Sequence, residues 1–92
     1  MQYNEKYEQK AEMLKVLSHP CRLCIVKGLI NNECNVTTMQ ECLGLPQSTV
    51  SQHLAKLKAA GIIKGERKGL EIKYVVVNQE AADIVKLLFG DD

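Results

Sequence analysis

Between two glycines, Gly44 and Gly61, lies the stretch that most limits what this chain can become: Leu45-Pro46-Gln47-Ser48-Thr49-Val50-Ser51-Gln52-His53-Leu54-Ala55-Lys56-Leu57-Lys58-Ala59-Ala60. Val50, Leu54 and Leu57 fall at i, i+4 and i+7, so a helix here carries one apolar stripe. Ser48, Thr49, Gln52, Ala55 and Lys56 lie opposite or beside that stripe. A helix that needs only solubility usually carries Glu and Lys on its outer face. This one carries short, mostly uncharged polar groups, which reach base edges or phosphates at small desolvation cost.

Charge distribution points the same way. The chain has 92 residues and a net charge of +1, which by itself does not mark a nucleic-acid binder. Residues 47–73, however, hold Lys56, Lys58, Lys64, Arg67, Lys68 and Lys73 against Glu66 and Glu71, an excess of four positive charges that leaves the remainder at minus three. Basic charge gathered on one helix and on the segment just beyond it is the footprint of a phosphate-binding face. With no Trp, one Phe and three Tyr, the chain has no aromatic platform for single-stranded bases, so the expected partner is double-stranded DNA.

The length and a 46% hydrophobic content suit one domain, residues 1–92, and not two. A core this small gains from pairing with a second copy. No apolar run approaches the roughly 18–20 residues that span a bilayer, and Met1-Gln-Tyr-Asn-Glu is too polar for a signal peptide, so no membrane association and a cytoplasmic location are expected. In that compartment Cys21, Cys24, Cys34 and Cys42 are reduced at rest.

In chain order, residues 4–17 set Tyr7, Ala11, Leu14 and Leu17 on one stripe of a first amphipathic helix. Ser18-His19-Pro20 ends it, and Ser18 with Pro20 suits the cap and first turn of a second helix. That helix runs from Cys21 to about Ile30 and is apolar over much of its circumference, as a central core helix is. Thr37, with Gln40 three residues on, fits a capping box for a short third helix ending near Leu43, and Gly44 supplies a left-handed residue at its end. A short helix, a tight turn and a longer helix with a polar outer face form a helix-turn-helix over about 37–61.

Beyond it, Ile62–Glu66 and Leu70–Val77 read as two strands, the second half-buried by its alternation. Arg67-Lys68-Gly69 reads as the turn between them, giving a hairpin wing over about 62–77 with a basic tip. Asn78 caps a last helix, 79–89, with Ala81, Ile84, Val85 and Leu88 as its apolar side. The order is α1-α2-α3-α4-β1-β2-α5, mainly α with one small β-hairpin.

These segments resemble the ArsR/SmtB family of small bacterial winged-helix repressors. The resemblance is carried by Leu17-Ser18-His19-Pro20-Cys21-Arg22-Leu23-Cys24-Ile25-Val26, by Leu43 to Leu54, by Leu57-Lys58-Ala59-Ala60-Gly61-Ile62-Ile63 and by Arg67-Lys68-Gly69-Leu70-Glu71-Ile72-Lys73-Tyr74. The Leu-Glu-Ile wing is similar to that of the PagR-like branch. The resemblance implies a homodimer through the first and last helices that binds an inverted-repeat operator and blocks transcription. DNA contacts are then expected from Gln47, Ser48, Thr49, Ser51, Gln52, His53, Lys56, Arg67 and Lys68, with His53, toward the edge of the apolar stripe, equally suited to supporting the helix.

What such a regulator senses is less legible. Aligned on Leu43-Gly44-Leu45, the family's Cys-x-Cys metal positions fall on Asn35 and Thr37, and the last helix has Glu80 and Asp83 but no His. Neither family metal site has its ligands, so no metal and no cofactor are expected. Cys21 and Cys24 form a Cys-x-x-Cys at a helix start, where the dipole and Arg22 favour a reactive thiol, so modulation by cysteine oxidation is a candidate. Burial in the core helix is the simpler reading of the same pair. His19 has no partner placed for it by the sequence and reads as a capping or packing residue. No Gly-rich phosphate loop, nucleophile elbow or paired-carboxylate motif is present, so an enzyme is not expected. The alternatives are a protein-interaction winged helix that does not bind DNA and a repressor that answers to metal at a non-standard site; the effector, small molecule or oxidant, is not written in the sequence.

Overall fold

Among the described residues, seven elements follow one another in the expected order: α1 (Glu5–Leu17), α2 (Pro20–Ile30), α3 (Val36–Leu43), α4 (Gln47–Ala59), β1 (Ile63–Lys68), β2 (Glu71–Val76) and α5 (Gln79–Phe89). The computed structural model describes residues 2–31 and 36–90, apart from the side chains of residues 36 and 37.

Local hydrogen bonding sets the boundaries, and it moves some of them. Asn4 caps α1, its side chain accepting the Lys6 N–H at 2.9 Å. Ser18, expected to open α2, instead closes α1: its N–H reaches the Leu14 carbonyl at 2.9 Å and its hydroxyl donates to the Lys15 carbonyl at 2.8 Å. His19 takes the cap of α2. Its ring Nδ1 accepts the Cys21 N–H at 3.1 Å, and its carbonyl accepts the Leu23 N–H at 2.9 Å. The reason is steric, because Pro20 fills the first helical position and holds the residue before it extended, here at φ −142° and ψ 128°.

Helix α3 begins at Val36, so Thr37 lies within its first turn rather than at its cap. The Thr37–Gln40 box rests on a side chain outside the described residues. Gly44 adopts φ 65° and its N–H returns to the Gln40 carbonyl at 2.9 Å. Pro46 stands at the cap of α4 without a side-chain bond, while its carbonyl accepts the Thr49 and Val50 N–H groups at 3.1 Å.

At its other end α4 closes in a Schellman arrangement. Gly61, at φ 74°, donates to the Lys58 carbonyl at 3.0 Å, and Ile62 donates to the Leu57 carbonyl at 3.0 Å. Ile62 and Leu57 are both fully buried, the apolar contact that accompanies this cap. Helix α4 and the wing are thereby joined through the core rather than by a free linker. The Ile62 carbonyl completes the joint by accepting Val77 N–H at 2.9 Å and Asn78 N–H at 3.3 Å.

The strands pair antiparallel from Ile63↔Val76 to Lys68↔Glu71. Arg67 and Lys68 therefore belong to β1, and the expected three-residue basic turn is in fact Gly69-Leu70, with Gly69 at φ 65°. A two-residue loop needs this left-handed position, and glycine takes it without strain. Gly65 serves a different purpose: a Cβ there would lie 3.0 Å from Ile72 Cγ2 and 3.4 Å from the Tyr74 ring, which pack across it. The half-burial expected along β2 holds only for Tyr74, Val75 and Val76. Ile72 is 54% exposed and Leu70 100%, because the outer half of the hairpin runs past the last core residue.

The core joins Ile25, Val26 and Leu29 of α2 to Val50, Leu54 and Leu57 of α4, to Ile62 and Ile63, and to Ala81 and Val85 of α5. Helix α1 adds Met13 and Leu17. Its predicted stripe is corrected here: Leu17 is buried, but Tyr7, Ala11 and Leu14 face outward. The same holds on α5, where Leu88 and Leu87 are exposed. Both helices carry more apolar surface than one copy of this core can cover. The radius of gyration, 13.7 Å, exceeds the roughly 12 Å of a compact chain of this length, as a projecting hairpin requires. Among the described residues, no helix is long and apolar enough to cross a membrane.

Candidate nucleic-acid interface

Three buried residues fix how α4 lies. With Val50, Leu54 and Leu57 at 0, 4 and 0% exposure, the opposite side of the helix must face solvent, and Gln47, Ser48, Ser51, Gln52, Ala55 and Lys56 are all exposed. Thr49 is half-buried at the margin of this face. The outer surface is thus a row of hydroxyls and carboxamides, with Lys56 toward the helix end.

His53 lies elsewhere. It is half-buried, its ring centroid 4.5 Å from that of His19, and Arg22 Nη1 stands 3.3 Å from its Nδ1. Burial, aided by the positive neighbours His19, Arg22 and Lys56, holds its pKa below the ordinary 6.5 and favours the neutral imidazole. Arg22 also donates through Nε to the Val16 carbonyl at 2.6 Å, so one guanidinium ties the end of α1 to the inner edge of α4. No local pattern signals this role, since Arg22 and His53 are 31 residues apart.

On the wing, successive strand residues point to opposite sides, so Arg67 and Lys68 are on different faces. The register sets Lys68 opposite Glu71 and Glu66 opposite Lys73, whereas Arg67 stands opposite Ile72. One face alternates charges and the other carries a guanidinium beside aliphatic surface.

The cysteines divide. Cys24 and Cys42 are exposed and Cys21 is half-buried, all three as free thiols. The core-packing reading of Cys24 is therefore corrected: it is exposed on α2, while Ile25, Val26 and Leu29 are the residues that the helix buries. On α5 the acidic side chains have other partners, Glu80 pairing with Lys10 of α1 and Asp83 accepting from Gln79 Nε2 at 2.8 Å. Two such carboxylates with no imidazole beside them do not make a zinc or nickel donor set.

Residues 19–64, half the chain and the whole of the helix-turn-helix, match the bacterial regulatory proteins of the arsR family. This chain belongs to that family. Over 82 residues, it is 48% identical to the transcriptional repressor PagR of Bacillus anthracis, covering 88% of this chain and 82% of PagR. The crystal structure of PagR superposes with a TM-score of 0.81 at 46% identity, covering 91% of this chain and 97% of that one. HlyU from Vibrio cholerae gives a TM-score of 0.85 at 28% identity, with 94% of each chain covered. Among arsR-family proteins the present one falls with the PagR-like branch, and it is a winged helix-turn-helix transcriptional regulator rather than an enzyme.

Proposed function

We propose that the protein is a homodimeric repressor that reads an inverted-repeat operator in double-stranded DNA with the outer face of α4 and grips the flanking backbone with its wing. The observation that carries this reading is the α4 surface itself. Ser48, Ser51 and Gln52 are exposed on a helix whose other side is locked into the core, and hydroxyl and carboxamide groups on a rigid support are what major-groove base edges require. Thr49 and Gln47 extend that surface, and Lys56, Arg67 and Lys68 supply phosphate contacts. His53 acts from behind, by setting the helix against Arg22.

A second copy covers the apolar surface left on α1 and α5. Tyr3, just before α1, and Tyr7 within it stack at 5.8 Å between ring centroids, and Leu14, Leu87 and Leu88 are exposed at 49, 84 and 61%. The two helices already touch through the Lys10–Glu80 pair. A dimer presents two recognition helices, as a two-fold operator demands. Residues 1–92 act as one domain, on double-stranded DNA in the cytoplasm.

A mobility-shift titration against DNA from the protein's own promoter region, with scrambled DNA of the same length as competitor, tests the reading. Selective retention is expected, with sedimentation showing a dimer that Leu87→Glu converts to monomer. Equal affinity for both DNAs would make the protein a non-specific binder, and no retention at low salt would leave a winged helix that binds protein instead.

A further inference from the structure

The α4 face does not use every chemically capable group in the molecule. His19 at the cap of α2, Cys21 two residues on and His53 in α4 each bring one possible ligand atom, an imidazole nitrogen or the thiol sulfur, to within 4.8 Å of the other two. All three residues are half-buried, and the two rings are tilted by 54° at 4.5 Å between centroids. Sequence alone did not bring His53 to His19, because the two come from different helices.

We infer that His19, Cys21 and His53 form a binding site for a zinc-like divalent cation that ties the start of α2 to the recognition helix. Two imidazoles and a thiolate are a borderline-soft donor set, and three protein ligands leave a fourth tetrahedral position for water. With metal–ligand bonds of about 2.0–2.3 Å, donors around a tetrahedral ion stand about 3.5 Å apart. The observed separations, 4.8 Å at most, therefore close by about 1.3 Å or less, which side-chain rotations supply. Cys21 gives its thiol proton to solvent on binding, and the thiolate offsets part of the positive charge that Arg22 and Lys56 place nearby.

The site competes with existing bonds. His19 Nδ1 is occupied by the Cys21 N–H and His53 Nδ1 by Arg22. A neutral imidazole has one lone pair in its ring plane for either purpose, so ligation ends both interactions whichever nitrogen holds the metal. The cation thus exchanges a helix cap and the Arg22 link for a rigid tie, and with it changes how α4 is held. That this alters operator affinity rests on the proposed reading of DNA by α4; that the cluster binds metal does not.

Co2+ titration of the reduced, chelator-treated full-length chain tests the site without DNA. One Co2+ per chain is expected, with tetrahedral d–d bands and thiolate-to-cobalt absorption, both lost on adding Zn2+. Cys21→Ser and His53→Gln weaken binding about tenfold or more, while Cys24→Ser and Cys42→Ser leave it unchanged. Zn2+ also protects Cys21, but not Cys24, from alkylation in the parent protein, a measurement that needs no variant to fold. Absent thiolate absorption, or equal alkylation of Cys21 with and without Zn2+, overturns the site. Operator affinity with Zn2+ and with chelator then differs about tenfold in the parent and not in Cys21→Ser. Metal binding with equal operator affinity overturns the regulatory step alone, and failure to bind DNA under either condition overturns the DNA reading instead.

Discussion

Helix α4 and the wing are adjacent in sequence and are both proposed to meet one DNA duplex, yet they are built on opposite principles. The helix buries Val50, Leu54 and Leu57 almost completely and keeps its polar groups on one side. The wing has no buried residue beyond Ile63 in β1, and its outer half exposes both faces. A reading element must hold hydrogen-bonding groups in register with base edges, and only a surface backed by core does so. A backbone clamp needs charge and reach, which an unsupported hairpin provides.

Leu57 gives the sharpest way to break that contrast. Leu57→Ala empties a fully buried position that also closes the α4 cap, and should cost about 2–5 kcal/mol of stability in denaturant titration. A loss below about 1 kcal/mol, on the order of a surface change, would mean that α4 is not held by the core as described. Gln52→Ala should do the reverse, weakening operator binding by about 1–3 kcal/mol with the unfolding midpoint unchanged. Unaltered affinity would move the reading face elsewhere on α4.

Smaller effects are expected on the wing. Arg67→Ala should lower affinity on all sequences and reduce the salt dependence by about one phosphate contact. Lys68→Ala should do less, since Glu71 stands opposite it; a larger effect at Lys68 would reverse the assignment of the two faces. The smallest effect concerns pH. Because the folded state holds the His53 pKa below 6.5, the unfolded chain binds more protons as pH falls through that value. Its contribution to stability is therefore complete above 6.5 and declines below it. Thermal melts in chelator should show this acid-side decline in the parent and not in His53→Gln, and identical pH profiles would remove the strain on His53.

The same contrast explains what the sequence disclosed. Helix α4 was legible because its stripe, its flanking glycines and its polar face each obey a local rule, and the Schellman closure at Gly61 is local too. The wing was half legible. β1 has only Ile63 on the core, so no apolar alternation marked its end, and Arg67 and Lys68 fell into the turn by default. On α1, two apolar sides were present, and periodicity alone does not say which one the core takes. The Arg22–His53 contact and the His19–Cys21–His53 cluster are products of packing, invisible to any window along the chain.

Arg67 and Lys68, beside the tip and on opposite sides of the hairpin, have one more consequence. A hairpin laid flat along the phosphates commits one cation to DNA and turns the other to water. Entering a groove edge-on, like a blade between two walls, it sets one cation toward each strand. The register of the paired residues thus decides more than the wing's length. It determines the angle of approach at which both charges count.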